Sequence, residues 1–321
     1  MTRAAGHAPS TDCFRGVNCG DSRRIPAEAT VARVYTEFLR RGGMRLANLA
    51  NLAMAVNLCA CAMAHAHAAP PVKESASVLK VRVTTQTGAR SYGSAVVIGP
   101  GKLVTNCHVV RNALHVELAR GYELWTARLD AGSAERDLCV LAAPEVDAPP
   151  AVAGTAWALA PGDVVYAVGF PGGGPLVVSK GRVEALYAFK GARVIQTSAA
   201  FDPGASGGAL FDEAGRLVGF LTFKAPAGGT FHFAVPVDWV ATLKGTADAA
   251  DAAQAFWEQV PEHRAHFLRA AWHEAREQWS ELFAECQRWA ANEPDNEAPV
   301  AKMVKAVERL LSAADRHPPK K

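Results

Sequence analysis

A serine enclosed by glycines is the first feature of this 321-residue sequence that suggests chemistry. In Asp202-Pro203-Gly204-Ala205-Ser206-Gly207-Gly208-Ala209-Leu210, Ser206 falls in a turn between two apolar runs. An acyl-transfer nucleophile needs an exposed hydroxyl on a tight turn, with backbone N–H groups aimed at the oxygen that becomes negative. Gly204 clears space for a substrate carbonyl, so the amides of Gly204 and Ser206 are the candidate oxyanion-hole donors. Taken alone, the same segment is an ordinary glycine-rich hairpin.

Two further segments change that balance. His108 lies at the end of a β run and between apolar residues in Leu103-Val104-Thr105-Asn106-Cys107-His108-Val109-Val110, where a rigidly held imidazole suits a general base and a packed core histidine is the bland alternative. Asp137 opens Asp137-Leu138-Cys139-Val140-Leu141, and a carboxylate at the head of an apolar strand is costly to bury without a partner. An imidazole N–H is such a partner, and the acid would fix the tautomer of the base. The bland alternative for Asp137 is a turn residue capping a strand. His108, Asp137 and Ser206 follow one another at separations of 29 and 69 residues.

With these stretches, Gly93–Gly99 and Phe233-Ala234-Val235-Pro236, residues 75–243 resemble the HtrA/Deg branch of the trypsin-fold serine peptidases. The resemblance implies a mainly β fold, two trypsin-like six-stranded β-barrels, with His108, Asp137 and Ser206 as the catalytic residues and polypeptides as substrates. It implies no metal site and no cofactor. The sequence departs from the family at Ala95 (usually Gly), Asp202 (usually Asn) and Ala205 (usually Asn). Ala205 cannot pair with a freed N-terminus, so activation by that cleavage is not expected. The side-chain pocket is expected to involve Ala200, Phe201, Leu221 and Thr222. Phe201 would fill the space a long basic side chain needs, which favours small or medium apolar residues before the cut. His232 lies on a strand that either walls this pocket or leaves the ring on an edge or at the surface.

The elements that must position these residues are legible as short runs rich in Val, Leu, Phe and Tyr. They fall at 77–86, 93–98, 102–106, 113–119, 122–130, 137–143, 164–170, 175–187, 193–198, 208–212, 216–223 and 230–236, separated by Gly and Pro turn signals. By pattern alone this is a sandwich or a set of barrels. Pro149-Pro150 to Gly162 looks like the connection between the halves, giving barrels over 72–160 and 161–243. From 250 the composition turns to Ala, Glu, Gln, Arg and Trp. Phe256, Trp257, Phe267, Trp279, Leu282 and Trp289 recur at helical intervals, Asn292-Glu293-Pro294 breaks the run, and 300–311 resumes it. A C-terminal α-helical extension over 250–316 is therefore expected where the family places a PDZ domain. It is a candidate surface for a protein partner.

Cys107 and Cys139 flank the base and the acid, which must touch. They either pack as small apolar residues or form a disulfide. Four of the seven cysteines lie in the first 61 residues, and no metal-ligand spacing is present.

The net charge of +3 comes from the front end, since residues 1–68 hold eight Arg and four acids. The near-neutral remainder gives no electrostatic case for nucleic acid. Met44-Arg45, the apolar stretch Leu46–Ala64 and the Ala64-His65-Ala66-His67-Ala68 small-residue run read as a signal peptide over 44–68. Residues 1–43 then read as an upstream leader or a misassigned start. Asn48, Asn51 and Asn57 make the stretch a poor permanent span, and Leu58-Cys59-Ala60-Cys61 resembles a lipoprotein site only faintly. The combined expectation is an exported serine endopeptidase, periplasmic or secreted. The alternative is a catalytically silent peptide-binding module or an adaptor acting through its helical tail.

Overall fold

The computed structural model describes residues 73–224, 231–243 and 254–316. The leader, the signal at 44–68 with Cys59 and Cys61, and the Gly228-Gly229 turn lie outside the described residues.

Among the described residues, twelve strands form two closed antiparallel barrels. The first contains β1 (Val78–Thr85), β2 (Arg90–Gly99), β3 (Lys102–Thr105), β4 (Ala113–Arg120), β5 (Glu123–Ser133) and β6 (Leu138–Ala142), in the order β1-β2-β3-β6-β5-β4. The second contains β7 (Val164–Gly169), β8 (Val177–Phe189), β9 (Ala192–Thr197), β10 (Ala209–Asp212), β11 (Leu217–Lys224) and β12 (His232–Pro236), in the order β10-β11-β12-β9-β8-β7. Closure removes the unpaired edges that an open sheet would expose. Each expected run became a strand, and the two-barrel reading holds.

Strand alternation explains the cores. In the first barrel Leu79, Val81, Val83, Ala95, Val97, Leu103, Leu118 and Leu141 fill the interior. Their neighbours Val78, Val96, Val104, Leu138 and Val140 face outward, yet they are buried in one cluster with Val168, Ala209 and Phe211 of the second barrel. Strands covered on both faces read as continuous apolar runs, as these do. The connection between the barrels laces them together. Ala151 N–H donates to Val97 O at 2.8 Å, Leu217 N–H to Val152 O at 2.8 Å and Gly154 N–H to Leu217 O at 2.8 Å.

A one-turn helix, α1 (Cys107–Val110), follows β3. After the barrels come α2 (His266–Ala275), α3 (Trp279–Asn292) and α4 (Ala298–Arg316). Phe267, Leu282, Cys286 and Trp289 join the apolar cluster shared by the barrels, and Phe267 stacks on Tyr187 of β8 at 4.8 Å. Burial pushes the Cys286 thiol up to about 11. Two buried acids fasten the tail helices. Glu274 accepts from Lys302 and Lys305, and Glu285 from His266, Arg269 and Arg288. One expectation needs correction: Phe256 and Trp257 are not on a helix. Pro261 clashes with a helical carbonyl four residues back and disfavours helix at the residue before it. The Phe256 amide instead donates to Glu135 O at 2.9 Å, away from its own segment.

Candidate active site

Asp137 sits in the turn between β5 and β6 with φ of 55°, a left-handed conformation that Asp tolerates better than most residues. Its amide closes the turn on Ala134 O at 3.0 Å. The carboxylate is fully buried. A buried carboxylate is tolerable only when its lone pairs are satisfied. Here His108 Nδ1 lies 2.7 Å from Oδ2, the His108 backbone amide donates to Oδ1 at 2.9 Å, and Trp257 Nε1 donates to Oδ2 at 3.0 Å. With Nδ1–H given to the acid, His108 Nε2 is left free to accept a proton. The His108 side chain keeps 22% of its surface exposed, on α1 at the end of β3.

The ground beneath this pair is rigid. Buried Asn106 donates to the Asp137 carbonyl at 2.8 Å and to Thr222 Oγ1 at 3.2 Å, while its Oδ1 has no partner among the described residues. Cys107 and Cys139 form a disulfide with a Cα separation of 4.9 Å, which settles the two readings of that pair in favour of the bridge. It cross-links the chain next to the base to the strand that starts at the acid.

Ser206 lies half-buried in its turn, and its hydroxyl donates to the Thr222 carbonyl at 3.2 Å. No hydrogen bond joins it to His108 in this conformation. Gly207 has φ of +82°, and a Cβ there would lie 2.1 Å from Ser94 O and 2.4 Å from Thr105 Oγ1, so only glycine fits. The turn is bonded to both barrels. Ser94 N–H donates to Ser206 O at 2.8 Å, Gly207 N–H to Leu221 O at 2.8 Å, and Leu221 N–H to Gly208 O at 2.8 Å. Buried Ser94 also donates through Oγ to Gly204 O at 3.0 Å, accepts from the Phe170 amide at 3.0 Å, and takes Thr105 Oγ1 on its carbonyl at 2.7 Å. Gly172 N–H donates to Pro203 O at 2.7 Å. Because that peptide is planar and trans, fixing the Pro203 carbonyl turns the Gly204 N–H to the opposite side. Neither the Gly204 nor the Ser206 amide donates to another backbone group among the described residues.

The expected pocket residues divide. Phe201 and Leu221 are buried in the interior cluster of the second barrel, with Ala199, Ala205 and Ala234. Thr222 is buried beside Asn106, and Ala200 is exposed. His232 is not at the surface. It is 6% exposed, with its ring 4.9 Å from that of Phe201. Strand alternation puts it on the same face of β12 as Ala234, toward the interior cluster of the second barrel, which the sequence did not reveal. Asp202 turns outward to Lys224 at 2.9 Å, and this hydrogen bond holds its carboxyl below the ordinary range.

Sequence reasoning missed three participants. Ser94 was visible as part of a motif but carried no assigned role, and Gly172 lay in a glycine run read only as a turn. Trp257 was read only as part of a helical pattern, being 120 residues from the acid it contacts. A cavity of about 1270 Å³ lies elsewhere, lined by β8, β9, α4 and residues such as Glu184, Gln196 and Lys302.

Residues 93–220 match the trypsin-like peptidase domain family. A curated relative from Pseudomonas savastanoi pv. phaseolicola, "Probable periplasmic serine endoprotease DegP-like", is 36% identical over 167 residues, which is 48% of this chain and 34% of the relative. The chain thus spans about a third of the length of the curated relatives it matches. Among solved structures, the HtrA-type protease AlgW with a tripeptide superposes with a TM-score of 0.50 at 32% identity, covering 54% of this chain and 60% of that one. The active form of the protease Rv3671c from M. tuberculosis gives a TM-score of 0.50 at 25% identity, covering 57% and 84%.

Proposed function

We propose that this chain, whose residues 93–220 are a trypsin-like peptidase domain related to the HtrA and DegP proteases, is an exported serine endopeptidase acting through His108, Asp137 and Ser206. The observation that carries the reading is the short bond from His108 Nδ1 to the buried Asp137 carboxylate. A desolvated acid holding one imidazole nitrogen leaves the other as a general base, and the His108 ring stays partly exposed.

In the proposed reaction, rotation about the side-chain torsion of Ser206 takes its hydroxyl from Thr222 O to His108 Nε2. Oγ attacks the peptide carbonyl carbon as His108 accepts its proton. The amides of Gly204 and Ser206 hold the oxyanion. His108 then protonates the leaving amine, and water repeats the sequence on the acyl enzyme. Polypeptides are the proposed substrates, in keeping with the tripeptide bound to AlgW. A pocket built around Phe201 favours small or medium apolar side chains before the cut. Export through the signal at 44–68 agrees with the periplasmic description of the relatives and with a disulfide beside the site.

One observation favours a second reading, a peptide-binding module without turnover: Ser206 Oγ bonds to Thr222 O and not to His108. A fluorophosphonate probe separates the two. Stoichiometric labelling at Ser206 supports the enzyme. Absence of labelling, with unprocessed peptide retained by the protein, supports the binding module.

A further inference from the structure

The Asp137–His108 pair receives a group from beyond the two barrels. Trp257 Nε1 donates to Asp137 Oδ2 at 3.0 Å, the same oxygen that faces His108 Nδ1. The indole meets the His108 ring edge-on, with centroids 5.4 Å apart at 84°, and stacks face-on against Phe223 at 5.0 Å and 13°. A carboxylate oxygen offers two lone pairs, and both now have donors. Oδ1 is held by the His108 amide, so neither oxygen can swing without breaking a bond.

The segment carrying Trp257 is anchored on both sides of the pair. Phe256 N–H donates to Glu135 O, two residues before the acid. Glu258 accepts a two-pronged bond from Arg111, three residues after the base, at 2.7 and 3.2 Å, and it also accepts from the Ala255 amide at 3.1 Å. Burial raises the Glu258 carboxyl, but the bonds from Arg111 and Ala255 outweigh it and leave the group below the ordinary range. The Phe256 ring is buried, with Phe189 at 5.1 Å and Trp239 at 6.1 Å. The tail therefore reaches the site through one short, well-anchored stretch.

We propose that Trp257 is a positioning residue for the Asp137–His108 pair, so that the site is complete only while residues 255–258 are docked on it. The indole N–H holds the acid's oxygen in line with Nδ1, and the ring closes the side on which the imidazole could turn away. This makes the non-helical stretch 255–258 a built-in support of the proposed peptidase site, on which reading the inference rests. It lies outside the 93–220 region shared with the family.

The test uses the full chain and two substitutions. Trp257→Phe keeps a ring against Phe223 and His108 and removes only the N–H; Trp257→Ala removes both. Active sites are counted by fluorophosphonate titration, so that kcat refers to competent folded molecules. The low-field proton resonance of His108 Nδ1–H is followed by NMR. Losing one bond to a charged group predicts that Trp257→Phe lowers kcat about tenfold, with KM changed less than about twofold. The His108 resonance shifts or broadens in step. Glu258→Gln, which loosens the anchor, gives a smaller change of the same kind. Trp257→Phe with wild-type kcat per titrated site and an unmoved resonance overturns the proposal and reduces Trp257 to packing. Should the wild type itself fail to label or cleave, the peptidase reading falls. The resonance would still report whether the indole positions the pair.

Discussion

The amide of Ser94, on the second strand of the first barrel, donates to the carbonyl of Ser206 at 2.8 Å, so the turn that carries the proposed nucleophile is bonded directly to the barrel that carries the base. The Ser94 hydroxyl extends the link to Gly204 O and the Phe170 amide. One buried side chain thus connects β2, the end of β7 and the nucleophile turn.

Ser94→Ala is expected to leave Phe170 N–H buried without its acceptor and Gly204 O without its donor. A loss of about 1–3 kcal/mol is expected. Because Gly204 is a proposed oxyanion donor, kcat should fall more than thermal stability alone would suggest. Kinetics well below the melting temperature, beside a denaturant titration, check both parts.

Ser206→Ala is expected to abolish hydrolysis, lowering kcat by roughly 10⁴-fold or more, while the melting temperature stays within a few degrees of wild type. The hydroxyl makes a single bond, to Thr222 O, so little folding energy depends on it. Equal turnover by mutant and wild type would remove Ser206 from the mechanism.

The Cys107–Cys139 disulfide closes a loop with a sequence separation of 32. Constraint of the unfolded chain predicts a stabilisation of about 2–4 kcal/mol. The double substitution to Ala should lower the denaturant midpoint accordingly and reduce activity, since Cys107 adjoins His108. Non-reducing mass spectrometry of the protein purified without reductant should find no alkylatable thiol at either position.

Acid should loosen the tail. Burial raises Glu258, Glu274 and Glu285, and bonds from Arg111, from Lys302 and Lys305, and from Arg288, His266 and Arg269 bring each net below the ordinary range. Each therefore binds fewer protons folded than unfolded. Their stabilisation is present above the ordinary glutamate value of about 4.3 and is lost as pH falls through the lower folded values. Hydrogen exchange should show α2–α4 losing protection below about pH 4 before the first barrel does. Glu274→Gln should flatten that dependence. Simultaneous loss of protection in barrel and tail would contradict this order.

The sequence by itself determined the strands and suggested the chemistry proposed for the site. Short apolar runs bounded by Gly and Pro specify strands locally, because β-branched and aromatic side chains suit a pleated backbone and the turn residues end it. The turn that carries the proposed nucleophile was equally legible as a serine among glycines, while the close approach of Gly207 to Ser94 O came only with the structure. His108, Asp137 and Ser206 could be named together because their segments, each open to a bland reading alone, jointly resemble a known peptidase family. The tertiary structure decided what distance along the chain hides. It joined Cys107 to Cys139, buried His232 against Phe201, and pulled Phe256 and Trp257 out of the expected helix into a stretch that crosses the site. Aromatic spacing cannot distinguish a helix face from an anchor, because the deciding partners, Glu135, Asp137 and Phe223, come from other elements. A carboxylate buried among apolar strands needs all its donors at once, and which distant indole supplies the third is settled only when the barrels and the tail pack together.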